Sequence, residues 1–124
     1  LTSPIKNQIN TIFVHVSDLQ RSVAWYSELL GQEVSPQDVR RPVYNVKIND
    51  HTGLTLDAGP EGSSKPKKVS SHPLFNFHTD DIELAYQYVK EQGFSIDSEI
   101  VRFEDFAFFT ISDPDGHVVM ICTG

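Results

Sequence analysis

The sequence predicts an α+β fold in which one strand–helix–strand–strand–strand unit is used twice. Two observations carry this reading. Phe13-Val14-His15-Val16-Ser17-Asp18-Leu19 returns 63 residues later as Asn76-Phe77-His78-Thr79-Asp80-Asp81-Ile82. At the same offset, Asp50-His51-Thr52-Gly53 aligns without a gap with Asp113-Pro114-Asp115-Gly116, and Ile48 falls on Ile111 and Val46 on Phe109. A shared offset at both ends, with the same order of elements between, marks an internal repeat. The site is expected where the two copies meet.

Periodicity supplies each element in turn. Gln8 to Val16 alternates as a strand, with Ile12, Val14 and Val16 on one face and Thr11, Phe13 and His15 on the other. Ser17 or Asp18 can cap a helix from about Leu19 to Leu30 that Gly31 ends. Val23, Trp25, Tyr26, Leu29 and Leu30 fall close to helical spacing along it. Extended segments follow near Gln32 to Ser35, Val43 to Asn49 and Leu54 to Ala58. The stretch Gly59 to Lys68 is rich in Gly, Pro, Ser and Lys and reads as a solvated linker. The second copy runs strand (Leu74 to Thr79), helix (Ile82 to Gln92), closed by Gly93, then strands near Ser95 to Val101, Phe106 to Ser112 and His117 to Cys122. We therefore expect one domain, 1–124, of two modules at about 8–58 and 74–122, joined by linker 59–73.

Composition narrows the class of function. At 124 residues the chain fits one domain with a real core. No apolar run approaches a membrane span, and no charged-then-apolar leader is visible, so no membrane partner is expected. Met120 is the only methionine, from which we expect that Leu1 is not a native start. Cys122 is alone, which excludes an internal disulfide and suits a cytoplasmic location. The net charge of −7 argues against nucleic acid and mildly favours cationic ligands, although solubility is the better account of it.

Val16-Ser17-Asp18-Leu19-Gln20-Arg21-Ser22-Val23-Ala24-Trp25-Tyr26 with Leu29-Leu30-Gly31, followed by Asp80-Asp81-Ile82 and Asp113-Pro114-Asp115-Gly116-His117, resembles the vicinal oxygen chelate superfamily. That is the group of glyoxalase I, bleomycin-resistance proteins and extradiol dioxygenases. The resemblance spans nearly the whole chain. It implies two tandem βαβββ modules forming a curved mixed sheet around a cleft, with helices on the outer face and often a homodimer. Fold alone does not choose among its activities.

Enzymes of that family hold a divalent metal with ligands from the first and last strands of each module. Carried onto this sequence, the first-strand positions are Thr11 and Leu74 and the last-strand positions Asp57 and Met120. Only Asp57 is a good donor for such an ion, so we expect no metal and no cofactor. His15 and His78 each lie four residues, about 13 Å, along the strand from Thr11 and Leu74. His72 is two residues, about 7 Å, from Leu74, a distance a bulge partly recovers. A relocated centre using His15, His78 or His72 is the alternative. His51 and His117 lie at the matched turns, where surface placement is the default.

The cleft face is expected to carry Phe13, His15, Asn45, Lys47, Asp57, Asn76, His78, Phe106, Phe108 and Met120 as ligand-binding residues. Thr11, Val43, Leu74, Thr110, Val118 and Cys122 share that face. This aromatic and apolar wall with separated polar groups suits a small organic molecule, and its phenylalanines a flat or cationic one. Asp57 and Lys47 could pair with each other, and His15 or His78 could serve a loop backbone group. Asp57, His15 and His78 are the candidate catalytic residues, a neutral histidine being a competent general base. Two functions remain open. One is a metal-free binding protein for a partly apolar ligand, cationic or neutral, similar in character to the drug-sequestering branch of the family. The other is a lyase, isomerase or dioxygenase, either with a relocated metal or by acid–base chemistry. A regulatory module with a plugged cleft is the plainest third.

Overall fold

In the computed structural model, which describes residues 2–64 and 69–124, the chain divides into two units, Leu1–Lys65 and Pro66–Gly124. Lys65, Lys67 and Lys68 of the expected linker lie outside the described residues. Two helices and a majority of strands give the α+β class. No helix among the described residues is long and apolar enough to cross a membrane.

The first unit runs β1 (Thr11–His15), α1 (Leu19–Leu29), β2 (Val43–Val46) and β3 (Gly53–Asp57). Its sheet has the order β1-β3-β2, with β1 parallel and β2 antiparallel to β3. Alternation in β1 becomes burial: Val14 and Val16 are buried while Phe13 and His15 are exposed. Val46, Leu54 and Leu56 complete the apolar layer, together with Leu19, Val23 and the fully buried Tyr26 of α1. Asp18, rather than Ser17, caps the helix, its Oδ1 accepting from Arg21 N–H at 3.2 Å. Gly31 ends it at φ 67°, where Gln32 N–H reaches Ser27 C=O at 2.8 Å.

The expected strand at Gln32 to Ser35 does not form. The Gln32 side-chain amide donates to Lys47 C=O at 2.7 Å, a side-chain bond where a ladder would use backbone, and Pro36 then opens a short 3-10 turn, Pro36–Asp38. That turn is tied to α1 by the Gln20 amide, which donates to Val39 C=O at 2.8 Å. The expected Val43 to Asn49 strand stops at Val46, and Asn49 Oδ1 instead accepts from His51 and Thr52 N–H groups to build the next turn.

The second unit runs β4 (Pro73–His78), α2 (Ile82–Glu91), β5 (Ser95–Ile96), β6 (Val101–Arg102), β7 (Ala107–Ser112) and β8 (Val118–Cys122). The sheet order is β4-β8-β7-β5, with β6 also on β7. Asp81 caps α2 through Leu84 N–H at 3.1 Å, and Gly93 at φ 81° closes it with Phe94 N–H on Val89 C=O. Both copies therefore share cap and closure chemistry. The expected single strand from Ser95 to Val101 is two short pieces, because Ser98 Oγ takes the Thr110 N–H at 3.0 Å that a continuous ladder would give to backbone. Ile82, Val89, Phe109, Ile111, Val119 and Ile121 make the core, with Tyr86 edge-on to Phe109 at 5.1 Å.

Candidate functional site

In the first unit the face away from α1 is ruled into rows by strand register. Phe13 lies opposite Thr55, which lies opposite Asn45; His15 lies opposite Asp57, which lies opposite Val43. His15 Nδ1 is 3.9 Å from Asp57 Oδ2, inside ion-pair range and beyond a direct hydrogen bond. Asp57 Oδ1 accepts from Gly59 N–H at 2.8 Å, which anchors one oxygen and leaves the other toward the imidazole. Thr55 donates its hydroxyl to Asn45 Oδ1 at 2.7 Å. Thr55 is buried and was missed in the sequence, although its place two residues before Asp57 puts it on the same face.

Asp57 and Lys47, whose pairing the sequence left open, do not pair. Antiparallel register puts Val43 opposite Asp57, and Val46 opposite Leu54, so Lys47 lies past the far end of the strand. The same register puts His15, four residues along β1 from Thr11, directly beside Asp57, while Thr11 partners Gly53.

In the second unit the corresponding rows are Asn76–Met120–Thr110 and His78–Cys122–Phe108. The ungapped offset of 63 therefore holds for the first strand and becomes 65 on the last two. Cys122, not Met120, stands in the row that Asp57 occupies in the first unit, and Phe108, not Phe106, stands in that of Val43. The cause is local: the turn closed by Asp113 N–H on His117 C=O delays the ladder to Val118, and β4 is irregular between Pro73 and Asn76. His78 Nε2 is 2.8 Å from Asp80 Oδ1, so its partner there is a carboxylate rather than loop backbone. Cys122 is buried, as an inert thiol would be. His72 is exposed ahead of β4.

His117 is not at the surface; it is 7% exposed. Asp113 Oδ1 accepts from both Asp115 and His117 N–H groups, at 2.9 and 2.8 Å, and draws the turn inward. Among the described residues Asp113, Asp115 and His117 bring donor atoms within 4.8 Å of one another. The Asp113 carboxylate is the clasp of its own turn, which accounts for the cluster.

An open cavity of about 500 Å³ lies on the same face of the second unit. Phe108, Val118, Met120 and Pro73 line it with Thr110, Ser112 and Asp97. Asp97 Oδ2 accepts from the Ser112 hydroxyl at 2.6 Å. Asp97 and Ser112 were not among the site residues expected from the sequence. Asp97 sits where the broken edge strand turns, a place no alternation marks.

The sequence profile of the glyoxalase/bleomycin resistance protein/dioxygenase superfamily matches residues 8–121. The chain belongs to that superfamily. A catechol-2,3-dioxygenase from Bacillus subtilis (strain 168) is 28% identical over 112 residues, which cover 86% of this chain and 37% of that protein. The chain thus spans little more than a third of that relative. A glyoxalase/dioxygenase structure from Nostoc punctiforme has a TM-score of 0.71 at 22% identity, over 99% of this chain and 97% of that one. A glyoxalase/bleomycin resistance protein from Catenulispora acidiphila DSM 44928 has a TM-score of 0.65 at 19% identity, over 95% and 99%. At these identities the structures show the shared fold.

The glyoxalase superfamily implies a divalent metal, and the residues present do not fit one at its usual positions. In the first unit Thr11 and Asp57 stand at opposite ends of the β1–β3 pairing, about 13 Å apart along the ladder. In the second, Met120 partners Asn76, whose amide lies 4.0 Å from its sulfur, and neither Met120 nor Leu74 offers an oxygen or imidazole donor.

Proposed function

We propose that this chain is a metal-free small-molecule-binding member of its superfamily, holding a partly apolar organic ligand. The observation that carries the reading is the cavity under Phe108, Val118 and Met120, with Thr110 and Asp97 as its separated polar groups. A volume of about 500 Å³ suits a ligand of one or two fused rings. Asn76 and His78 stand in the same rows and extend the polar edge. On the first unit Phe13, Asn45 and Asp57 offer a second face of like character. Homodimer formation belongs to the same proposal, and sedimentation velocity would read it as twice the 14.0 kDa chain mass.

Met120 is the only methionine in the sequence, so a methyl-labelled sample gives one resonance from inside the cavity. Titration with quinoline, a neutral fused-ring probe, is expected to shift that resonance saturably, and Met120→Trp is expected to abolish binding. A resonance unmoved at millimolar quinoline would overturn the cavity reading. Metal content is measured on tag-free protein dialysed against nickel, zinc, manganese and iron(II). Under about a tenth of an equivalent supports the metal-free reading, since a real site saturates. Near one equivalent, lost in Asp57→Asn, overturns it.

The cross-strand His15–Asp57 pair favours a second reading, acid–base catalysis in which Asp57 orients the imidazole and His15 moves the proton. Turnover that drops at least tenfold in Asp57→Asn while ligand affinity holds supports it. Turnover unchanged from wild type in both His15→Ala and Asp57→Asn removes it.

A further inference from the structure

We propose that Phe103, Phe106 and Phe108 form a stacking shelf at the mouth of this cavity, on which the exposed Phe103 ring stacks planar aromatic ligands and the neighbouring Glu104 and Asp105 select cations among them. The inference rests on the binding reading above and names the ligand class for that site. Phe103 and Phe106 flank the two-residue tip Glu104-Asp105 of the β6–β7 hairpin, and Phe103 N–H donates to Phe106 C=O at 2.8 Å. Phe108 follows two residues on, and so shares a strand face with Phe106. The three rings lie nearly parallel: Phe103 is 23° from Phe106 and 14° from Phe108, and Phe106 is 20° from Phe108. Their centroids are 4.8, 6.1 and 6.2 Å apart in that order.

That arrangement differs from the molecule's core pairs. Trp25 with Tyr26 and Tyr86 with Phe109 meet at 74° and 81°, the edge-on packing that fills an interior. Parallel rings instead present flat faces, and Phe103 remains 55% exposed. Phe108 belongs both to the stack and to the cavity wall, so one surface runs from the shelf inward.

Charge supplies the sign of the ligand. Residues 69–124 hold ten Asp and Glu against two basic residues, Lys90 and Arg102. Arg102, the neighbour of Phe103, is taken by Glu83 of α2 in an ion pair. Ala107, its cross-strand partner, faces the core, so Arg102 projects away from the shelf. Glu104 and Asp105 stand exposed at the tip beside the rings. A flat cation over Phe103 gains both ring-face attraction and the field of those carboxylates.

The test compares 1-methylquinolinium with neutral quinoline by calorimetry and by the Met120 methyl resonance, in full-chain protein. Wild type is expected to prefer the cation. Phe103→Leu, which keeps an apolar side chain at an exposed site, is expected to weaken both probes about three- to tenfold, the range of one lost stacking contact. Glu104→Gln with Asp105→Asn is expected to weaken only the cation and to make its binding insensitive to added salt. Equal affinities in wild type and Phe103→Leu would overturn the shelf. Lack of cation preference in wild type overturns the charge selection, while quinoline shifts at Met120 would leave the cavity reading standing.

Discussion

His15 and Asp57 are direct cross-strand partners on the parallel pair β1–β3, with Nδ1 and Oδ2 3.9 Å apart. The imidazole side chain is 60% exposed and the carboxylate 26%, so the pair faces solvent while one oxygen is anchored by Gly59 N–H. A pair so placed adds little to stability, about 1 kcal/mol or less.

The two oxygens of Asp57 should separate by mutation. Asp57→Asn keeps an acceptor for Gly59 N–H and is expected to unfold in urea close to wild type. Asp57→Ala loses that bond and is expected to cost about 1 kcal/mol. Equal midpoints for the two variants would show that the turn bond contributes nothing.

The turn at Asp113 offers the same contrast with a larger effect. Asp113→Ala strands the N–H groups of Asp115 and His117, the latter on a buried residue, at an expected cost of about 1–3 kcal/mol. Asp113→Asn keeps Oδ1 and is expected to retain most of the stability. If both variants unfold alike, the carboxylate charge, rather than its role as turn clasp, is what matters.

Helix caps are expected to contribute equally in the two copies. Asp18→Ala and Asp81→Ala each remove one side-chain bond to a backbone N–H three residues on. Each should lower stability by about 1 kcal/mol, read from urea denaturation. A loss below about 0.3 kcal/mol in either copy would mean the first turn finds another acceptor.

Phe109 is fully buried beneath α2, against Tyr86. Phe109→Ala is expected to cost about 3–5 kcal/mol, from lost burial plus the cavity left behind. A change under 1 kcal/mol would show that the second unit relaxes into the space.

Much of the fold was legible because its signals are local. Phe13 and His15 face out and Val14 and Val16 face in, as period two requires. Gly31 and Gly93 end both helices at positive φ, where other residues would be strained. The legible signals failed where a side chain took a backbone bond. Gln32 and Ser98 each break an expected strand in this way, and a Gln or Ser in an extended stretch gives no warning of it. His117 was misplaced because a turn motif says nothing of how deeply the turn is drawn in.

The repeat order, the two helices with their closing glycines, and the in–out alternation of β1 were legible in residue order alone, because each depends on neighbours within a few positions. The partners across the strands were decided only by the tertiary structure. Asp57 meets His15 and not Lys47, and Cys122 rather than Met120 takes the matching row in the second unit. Register depends on where each turn releases the chain into the ladder, and a slip of two residues preserves every in–out alternation while changing every partner. The repeat's own pattern was therefore blind to the pairings on which the candidate site is built.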